Sequence, residues 1–445
     1  MAPPIVADNV KTLRGIKEFV IVAGSSDKIF AINADTGALV WQKTFAVEGT
    51  PGRKSGTLCP FALNATPVVQ PGRPRVIYAI ASDGKLHGLS AVDGEDRFAP
   101  LPFVPAFSKN WSLNLVGGVL YTAISQRCNG VPSGVWSMDL NVPEKSVRSF
   151  EVGTGGGIWG RGGVAISPSG AIFAETGDGV YDTASGKFSD TILALSPKEL
   201  KLTDYYTPSN REWITRKDLD MGNISPVVFR YRDREYLVGA GKEGRLYLLD
   251  TAALGGDTHR DPLFRSALMT NEDVAYAGHG FWGAFASWED TQANRWVLAP
   301  AWGAPHPAAA FPITNGDASH GSIMAFRLEI KEKVPSLAPV WISRDMSVPE
   351  PPIVANGVVY ALSSGEDVRQ ADATGAGLGT AERVKNSTKA VLYAFDAFTG
   401  KELYSSGDTI ASFSHFGGIA ISNGRVFVTT YDGFVYAFGP HHEER

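Results

Sequence analysis

The sequence predicts an all-β chain folded as an eight-bladed β-propeller of four-stranded antiparallel blades. Three observations carry this. A phrase recurs in which apolar residues alternate with small ones, then a turn with Asp and Gly, then an aromatic: Ile29–Trp41 near the start and Val391–Tyr404 near the end, with looser copies between. The alternation has the two-residue period of a strand. The turns carry Asp to cap the backbone and Gly to accept a positive φ, and Asn-Gly pairs recur upstream of them.

The outer hairpins centre near Asp35, Asp93, Asp139, Ser196, Asp250, Arg327, Asp396 and Phe438, one for each unit. Asp35, Asp93, Asp250 and Asp396 recur with the repeat and read as turn formers. In the seventh unit, Asn356-Gly357 turns into Val358-Val359-Tyr360 ahead of the Asp396 hairpin. In the eighth, Gly418–Ile421 and Arg425–Thr430 flank Asn423-Gly424, and Tyr431-Asp432-Gly433 turns into Phe434–Phe438. That unit stops a strand short, and Lys17–Val22 is the expected donor across the ring closure. No unit can bury both faces alone, so neighbours must stack, and radial stacking hides the sheet edges. The spacing of about 45–75 residues is long for a blade and implies inserted loops. We place these near 288–320 and 365–389, roofing the mouth of one domain that spans 1–445.

Composition sets bounds. The 445 residues include Gly 49 and Pro 27, as a turn-rich β protein requires. A net charge of −5 and the absence of a Lys/Arg run argue against a nucleic-acid partner. No apolar stretch reaches the length of a membrane span. Cys59 and Cys128 admit either one disulfide or two free thiols, and no CxxCH occurs to attach a haem. Met1-Ala2-Pro3-Pro4 lacks the pattern of a signal segment. A mature periplasmic or secreted chain and a cytoplasmic one both fit.

Residues just ahead of the innermost strands converge at one end of a propeller channel. Here they include Cys59–Asn64, Lys109-Asn110-Trp111, Trp159-Gly160-Arg161, Asp218, Asp220 and Asn223, His279 and Trp282, Glu350, and His415-Phe416. Such an aromatic mouth with a few polar groups is a ligand site for a small molecule. Trp111, His279, Trp302 and His415 are assigned to a substrate funnel. His279, His306, His320 and His415 lie near blades six to eight and are candidate ligands of a transition metal. His441 and His442 read as tail.

Several motifs resemble the propellers of pyrroloquinoline-quinone (PQQ) dependent alcohol dehydrogenases, nearest to the branch that includes polyvinyl-alcohol dehydrogenase. They are Gly155–Gly160, Glu175–Gly179, Ser189–Leu195, Asp218–Val228 and Ala240–Asp250, in that order. The resemblance implies PQQ and Ca²⁺ as cofactors. It implies that one of Asp218 and Asp220, with Asp220 preferred, accepts the substrate hydroxyl proton. Lys242 takes the place of the cation on the quinone carbonyls. Trp159, Arg161, Asn223 and Trp282 join Lys242 as cofactor-binding candidates. Tyr181 is the nearest aromatic to the expected floor, and no Cys-Cys pair stands over the ring. Electrons would leave to a separate cytochrome c or quinone. Two other functions compete: a lyase or oxidase with a His-bound metal, and a non-catalytic binding scaffold.

Overall fold

The structure, a computed structural model, describes residues 2–52, 59–63, 65–270, 278–372 and 374–440. Asn64, His441 and His442 lie outside them. Blade one is Ile5–Thr12, Gly15–Gly24, Lys28–Asn33 and Leu39–Thr44, hydrogen-bonded antiparallel in chain order. The same order repeats in blade two (within 68–102), three (114–151), four (165–206), five (227–265), six (286–342, where the short strand Ile313–Thr314 adds in parallel at the outer edge) and seven (353–405). Blade eight shows three strands among the described residues, Ile419–Ser422, Arg425–Thr429 and Val435–Phe438. The predicted class, an all-β eight-bladed propeller, is the class observed.

The turns follow their residues. Asn356-Gly357 and Asn423-Gly424 both have positive φ at the two loop positions, the mirror-image turn that matches strand twist. Asp396 Oδ1 accepts from Phe398 N, Thr399 N and Thr399 Oγ1. In the first copy Asn33 holds that position, accepting from Asp35 N and Thr36 N. Asp35 is one residue pair further on and bonds Arg425 of blade eight instead. In the second copy Ser90 Oγ accepts from Val92 N, and Asp93 lies beyond it. The sixth hairpin turns at Glu332-Lys333, and Arg327, its expected centre, is inside the strand Gly321–Lys331.

Hydrophobic clusters fill the seams between consecutive blades. Ile77 and Leu89 pack with Ile21 and Ile29 across blades one and two; Leu298 and Ala325 pack with Val359 and Phe395 across six and seven. Two tryptophans tie blades explicitly. Trp41 Nε1 donates to Ala91 O at 3.0 Å, and Trp341 Nε1 to Ala397 O at 3.0 Å. The indole lies on the turn glycine of the next blade, where a Cβ on Gly94 would come within 2.6 Å of Trp41. The repeat therefore keeps Gly there for close approach as well as for φ.

Ring closure differs from the expectation. Lys17–Val22 belongs to Gly15–Gly24, whose two edges are already paired within blade one, so no strand is shared. A small seam closes the ring instead. Val20, Val22 and Ala34 pack on Phe427, Ser422 Oγ and Asn423 Nδ2 donate to Glu18, and Arg425 pairs with Asp35 at 2.8 Å.

The expected insertion at 288–320 is shorter. Trp288 lies in Ala286–Glu289 and the next strand is Arg295–Trp302, so both belong to the blade-six sheet. The added loop is 303–320. The loop at 365–389 carries a short helix, Thr380–Asn386, and its Val368, Gln370 and Arg383 face the central cavity. Cys59 and Cys128 form a disulfide, which settles the two readings left open.

Candidate active site in the central funnel

A cavity of about 510 Å³ opens at the end of the ring where the innermost strands begin. Its floor comes from blades four and five. The chain from Gly155 to Gly162 threads tightly between neighbours: Gly157 N donates to Gly177 O, Trp159 N to Gly222 O, and Arg161 N to Gly283 O. These approaches need glycine, since a Cβ on Gly177 would meet both the Trp159 ring and Asp220 Cβ. The helix Arg211–Arg216 ends with Leu219 N bonded to Ile214 O, which projects Asp218 and Asp220 into the funnel.

Lys242 Nζ lies 2.7 Å from Asp220 Oδ2 and 3.4 Å from Asp218 Oδ2. Asp178 joins them: carboxylate oxygens of Asp178, Asp218 and Asp220 lie within 4.8 Å of one another. Asp178 and Asp218 both adopt left-handed backbone, φ 54° and 55°, a conformation that Asp tolerates better than most residues. Burial, then the charges of Asp220 and Asp218, push Asp178 up to about 7. Burial and Asp220 raise Asp218 as well. Burial presses Lys242 down, but the three carboxylates outweigh it and hold the ammonium above its ordinary value. Behind them, fully buried Asp190 accepts from Thr215 Oγ1 at 2.6 Å and Met221 N at 3.3 Å, anchoring the Asp218–Asp220 loop. Burial, then Asp220, moves it to about 7.

The walls are aromatic. Trp282 and Trp302 stack at 4.4 Å and an interplanar angle of 6°. Lys242 lies over Trp282 at 5.4 Å, and Arg161 lies by Trp302 at 5.5 Å and over Phe416 at 3.7 Å. Arg161 forms a buried ion pair with Glu350. His415 Nδ1 faces Glu366 at 2.8 Å, and Arg383 shares that carboxylate at 3.1 Å.

The fold brings Asp218, Asp220, Lys242, Asn223, Trp159, Arg161, Trp282, Trp111, Trp302 and His415 to this one cavity. The histidine metal group does not assemble. Among the described residues the Asp178–Asp218–Asp220 trio is the sole group of three or more metal-ligating side chains. His306 Nδ1 accepts from Ala308 N, exposed His320 pairs with Asp345 at 2.7 Å, and His415 is taken by Glu366. His279 is not among the cavity-lining residues; its carbonyl accepts from Trp282 Nε1 at 2.7 Å and so sets that indole. The long loops of blades six to eight carry these imidazoles to separate partners. Tyr181 also stands away from the cavity, with its hydroxyl on Thr207 and Arg211 over its ring.

Sequence reasoning gave no role to Asp178, Asp190, Lys109 or Arg383. Asp178 follows the strand Ile172–Glu175 and stood in the Glu175–Gly179 motif, which was its available signal; for Lys109, directly beside Trp111, the signal was position ahead of an inner strand.

Four buried polar atoms around the cavity have no partner among the described residues: the acceptors Asp220 Oδ1 and Asn223 Oδ1, and the donors Trp159 Nε1 and Arg161 Nη2. Unpaired buried groups are costly and point to a missing ligand. Clustered carboxylate and amide oxygens are the donor set of a hard divalent cation such as Ca²⁺. A flat, acidic ortho-quinone matches indole walls with cationic donors. The residues present therefore fit PQQ and Ca²⁺.

No known protein-family profile matches the chain, and no curated protein does. Solved structures do. A europium-containing methanol dehydrogenase aligns with a TM-score of 0.58 at 14% identity, over 94% of this chain and 80% of that one. The quinohemoprotein alcohol dehydrogenase from Comamonas testosteroni aligns with a TM-score of 0.57 at 14% identity, over 96% and 70%. BamB from Moraxella catarrhalis aligns with a TM-score of 0.50 at 13% identity, over 98% of each chain. At these identities the likeness is one of fold: the chain has the propeller fold of the quinoprotein alcohol dehydrogenases.

Proposed function

We propose that the funnel oxidises an alcohol with PQQ as electron acceptor and Ca²⁺ beside it. The observation that carries this reading is that Asp220 Oδ1, Asn223 Oδ1 and Trp159 Nε1, buried in the wall that holds the Lys242–Asp220 pair, have no partner among the described residues. Asp178, Asp218 and Asn223 are the residues to hold the cation, and Trp159 and Lys242 those to hold the quinone. When bound, the pair supplies a two-electron acceptor polarised toward reduction. Asp220 has one oxygen on Lys242, and the other, buried and without a partner among the described residues, is the one to accept the alcohol's hydroxyl proton. Lys242 keeps that carboxylate oriented and offers its remaining protons to a carbonyl oxygen. Trp159 and the Trp282–Trp302 pair shape a flat slot and exclude water. The product is the aldehyde or ketone, and the two electrons pass on to a separate cytochrome c or quinone. The Cys59–Cys128 disulfide supports an oxidising compartment, periplasmic or secreted.

The test mixes the purified protein with PQQ and Ca²⁺ and follows quinone absorbance, melting temperature and dye reduction with primary and secondary alcohols. Saturable binding at micromolar PQQ and alcohol-dependent dye reduction are expected. Absence of PQQ binding with Ca²⁺ present overturns the reading.

A further inference from the structure

The funnel has a second charged pole that the chemistry above leaves unused. Lys109 lines the cavity beside Trp111, its ammonium 5.2 Å from the ring centroid. Among the described residues no carboxylate pairs with it. Its charged neighbour is another cation, Arg161, and burial and Arg161 together bring Lys109 down to about 8. The carboxylates near this end each engage one oxygen elsewhere, Glu350 with Arg161, and Glu366 with Arg383 and His415, and neither pairs with Lys109 among the described residues. Arg161, with only 8% of its side chain exposed, still has Nη2 unpartnered. A half-buried ammonium without a carboxylate, near a buried guanidinium with a spare donor, offers a place for an anion.

We infer that Lys109 and Arg161 form a carboxylate subsite, through which the funnel selects alcohols that carry an anionic group: hydroxy-carboxylates. The inference rests on the dehydrogenase reading and names its substrate class. A guanidinium edge and an ammonium together suit the two oxygens of a carboxylate. The pole is separate from the acidic one. Lys242 lies against Trp282 and Arg161 against Trp302, the two indoles stack on each other, and Asp218 and Asp220 pair with Lys242 and not with Lys109 among the described residues. A substrate whose hydroxyl meets Asp220 thus extends along the indole wall and places its far end at the cationic pole.

The test uses the full chain and two pairs of probes, glycolate against ethylene glycol and gluconate against sorbitol. Calorimetric titration without PQQ reads the subsite alone. At least one acid is expected to bind tenfold or more tighter than its neutral counterpart. Lys109→Met should remove that preference and Lys109→Arg keep it, with both variants checked by melting temperature. With PQQ and Ca²⁺ present, the ratio of kcat/KM for acid over neutral alcohol should fall in Lys109→Met by the same factor. Equal binding of acids and neutral probes by the unmodified protein overturns the subsite. So does a Lys109→Met variant that loses PQQ affinity while keeping its acid preference, which would give this cation to the quinone's carboxylates. Acid preference without any PQQ binding would sink the dehydrogenase reading and leave the subsite standing.

Discussion

Lys242 is joined to Asp220 twice: Nζ to Oδ2 at 2.7 Å, and its backbone N–H to the Asp220 carbonyl at 2.9 Å. The second bond needs Gly241, because a Cβ there would strike the Asp220 carbonyl. Asp218 is held less firmly, at 3.4 Å, with 32% of its side chain exposed against 4% for Asp220. The geometry thus separates two aspartates that the motif alone leaves interchangeable.

Replacing Asp220 by Asn should lower kcat/KM for alcohols roughly a hundred- to ten-thousand-fold, the range for loss of a general base. Asp218→Asn should cost less than Asp220→Asn and recover with added Ca²⁺, since Asp218 is placed to hold the cation and not to take the proton. Steady-state dye reduction decides it. Equal losses would remove the distinction.

Arg161 and Glu350 are 189 residues apart in sequence and pair in the funnel wall, with side chains 8% and 1% exposed. Breaking such a pair leaves one charge buried alone. Glu350→Leu should destabilise the fold by about 3–5 kcal/mol, and Arg161→Met in the same chain should recover most of that. Urea unfolding of the two single variants and the double variant measures the coupling.

Glu175 is buried in the blade-four strand Ile172–Glu175 with no ion-pair partner among the described residues. Burial raises its carboxyl well above the ordinary 4.5, against a weaker opposite pull from the Ala240 N–H. As pH climbs past that ordinary value, the unfolded chain gives up the proton and the folded chain keeps it. Stability therefore falls with rising pH until the folded value is reached. Glu175→Gln removes this loss. The variant should be more stable at neutral pH, by about 1.4 kcal/mol for each pH unit spanned, and should match the parent below the unfolded value. Melting curves across the acid range read it, and equal stability at neutral pH would refute it.

Trp41 and Gly94 form one unit across blades one and two. Trp41→Ala should cost about 3–5 kcal/mol through the cavity it leaves. Gly94→Ala should cost about 1–3 kcal/mol by overpacking and by its φ of 76°. The double variant should cost less than the sum, because the added methyl then has room.

Turn chemistry explains why the fold was legible. Asn-Gly at 356 and 423, and Asp396 with Gly400, act through bonds within a few residues, so their meaning survives without tertiary context. The first copy shows the limit. Asn33 and Asp35 both suit a turn by type, but only the register of Lys28–Asn33 shows which one caps it. The site was legible in part for the same reason: residues ahead of inner strands share a place in every blade, which located Trp159, Arg161 and Asp220, while Lys242, in the turn after Arg234–Ala240, was assigned by the family resemblance alone. Partners were not legible, because nothing local ties His415 to Glu366 or His320 to Asp345.

By itself the sequence determined an eightfold β-repeat and the end of the ring where its unlike residues gather, because alternation and turns are short-range properties. Closure of the ring decided the rest. It set Asp178 beside Asp218 and Asp220, took His415 to Glu366, and left Lys109 in the funnel with no carboxylate paired to it among the described residues. Those juxtapositions depend on distances between blades, and electrostatics and packing act through distance in space rather than along the chain.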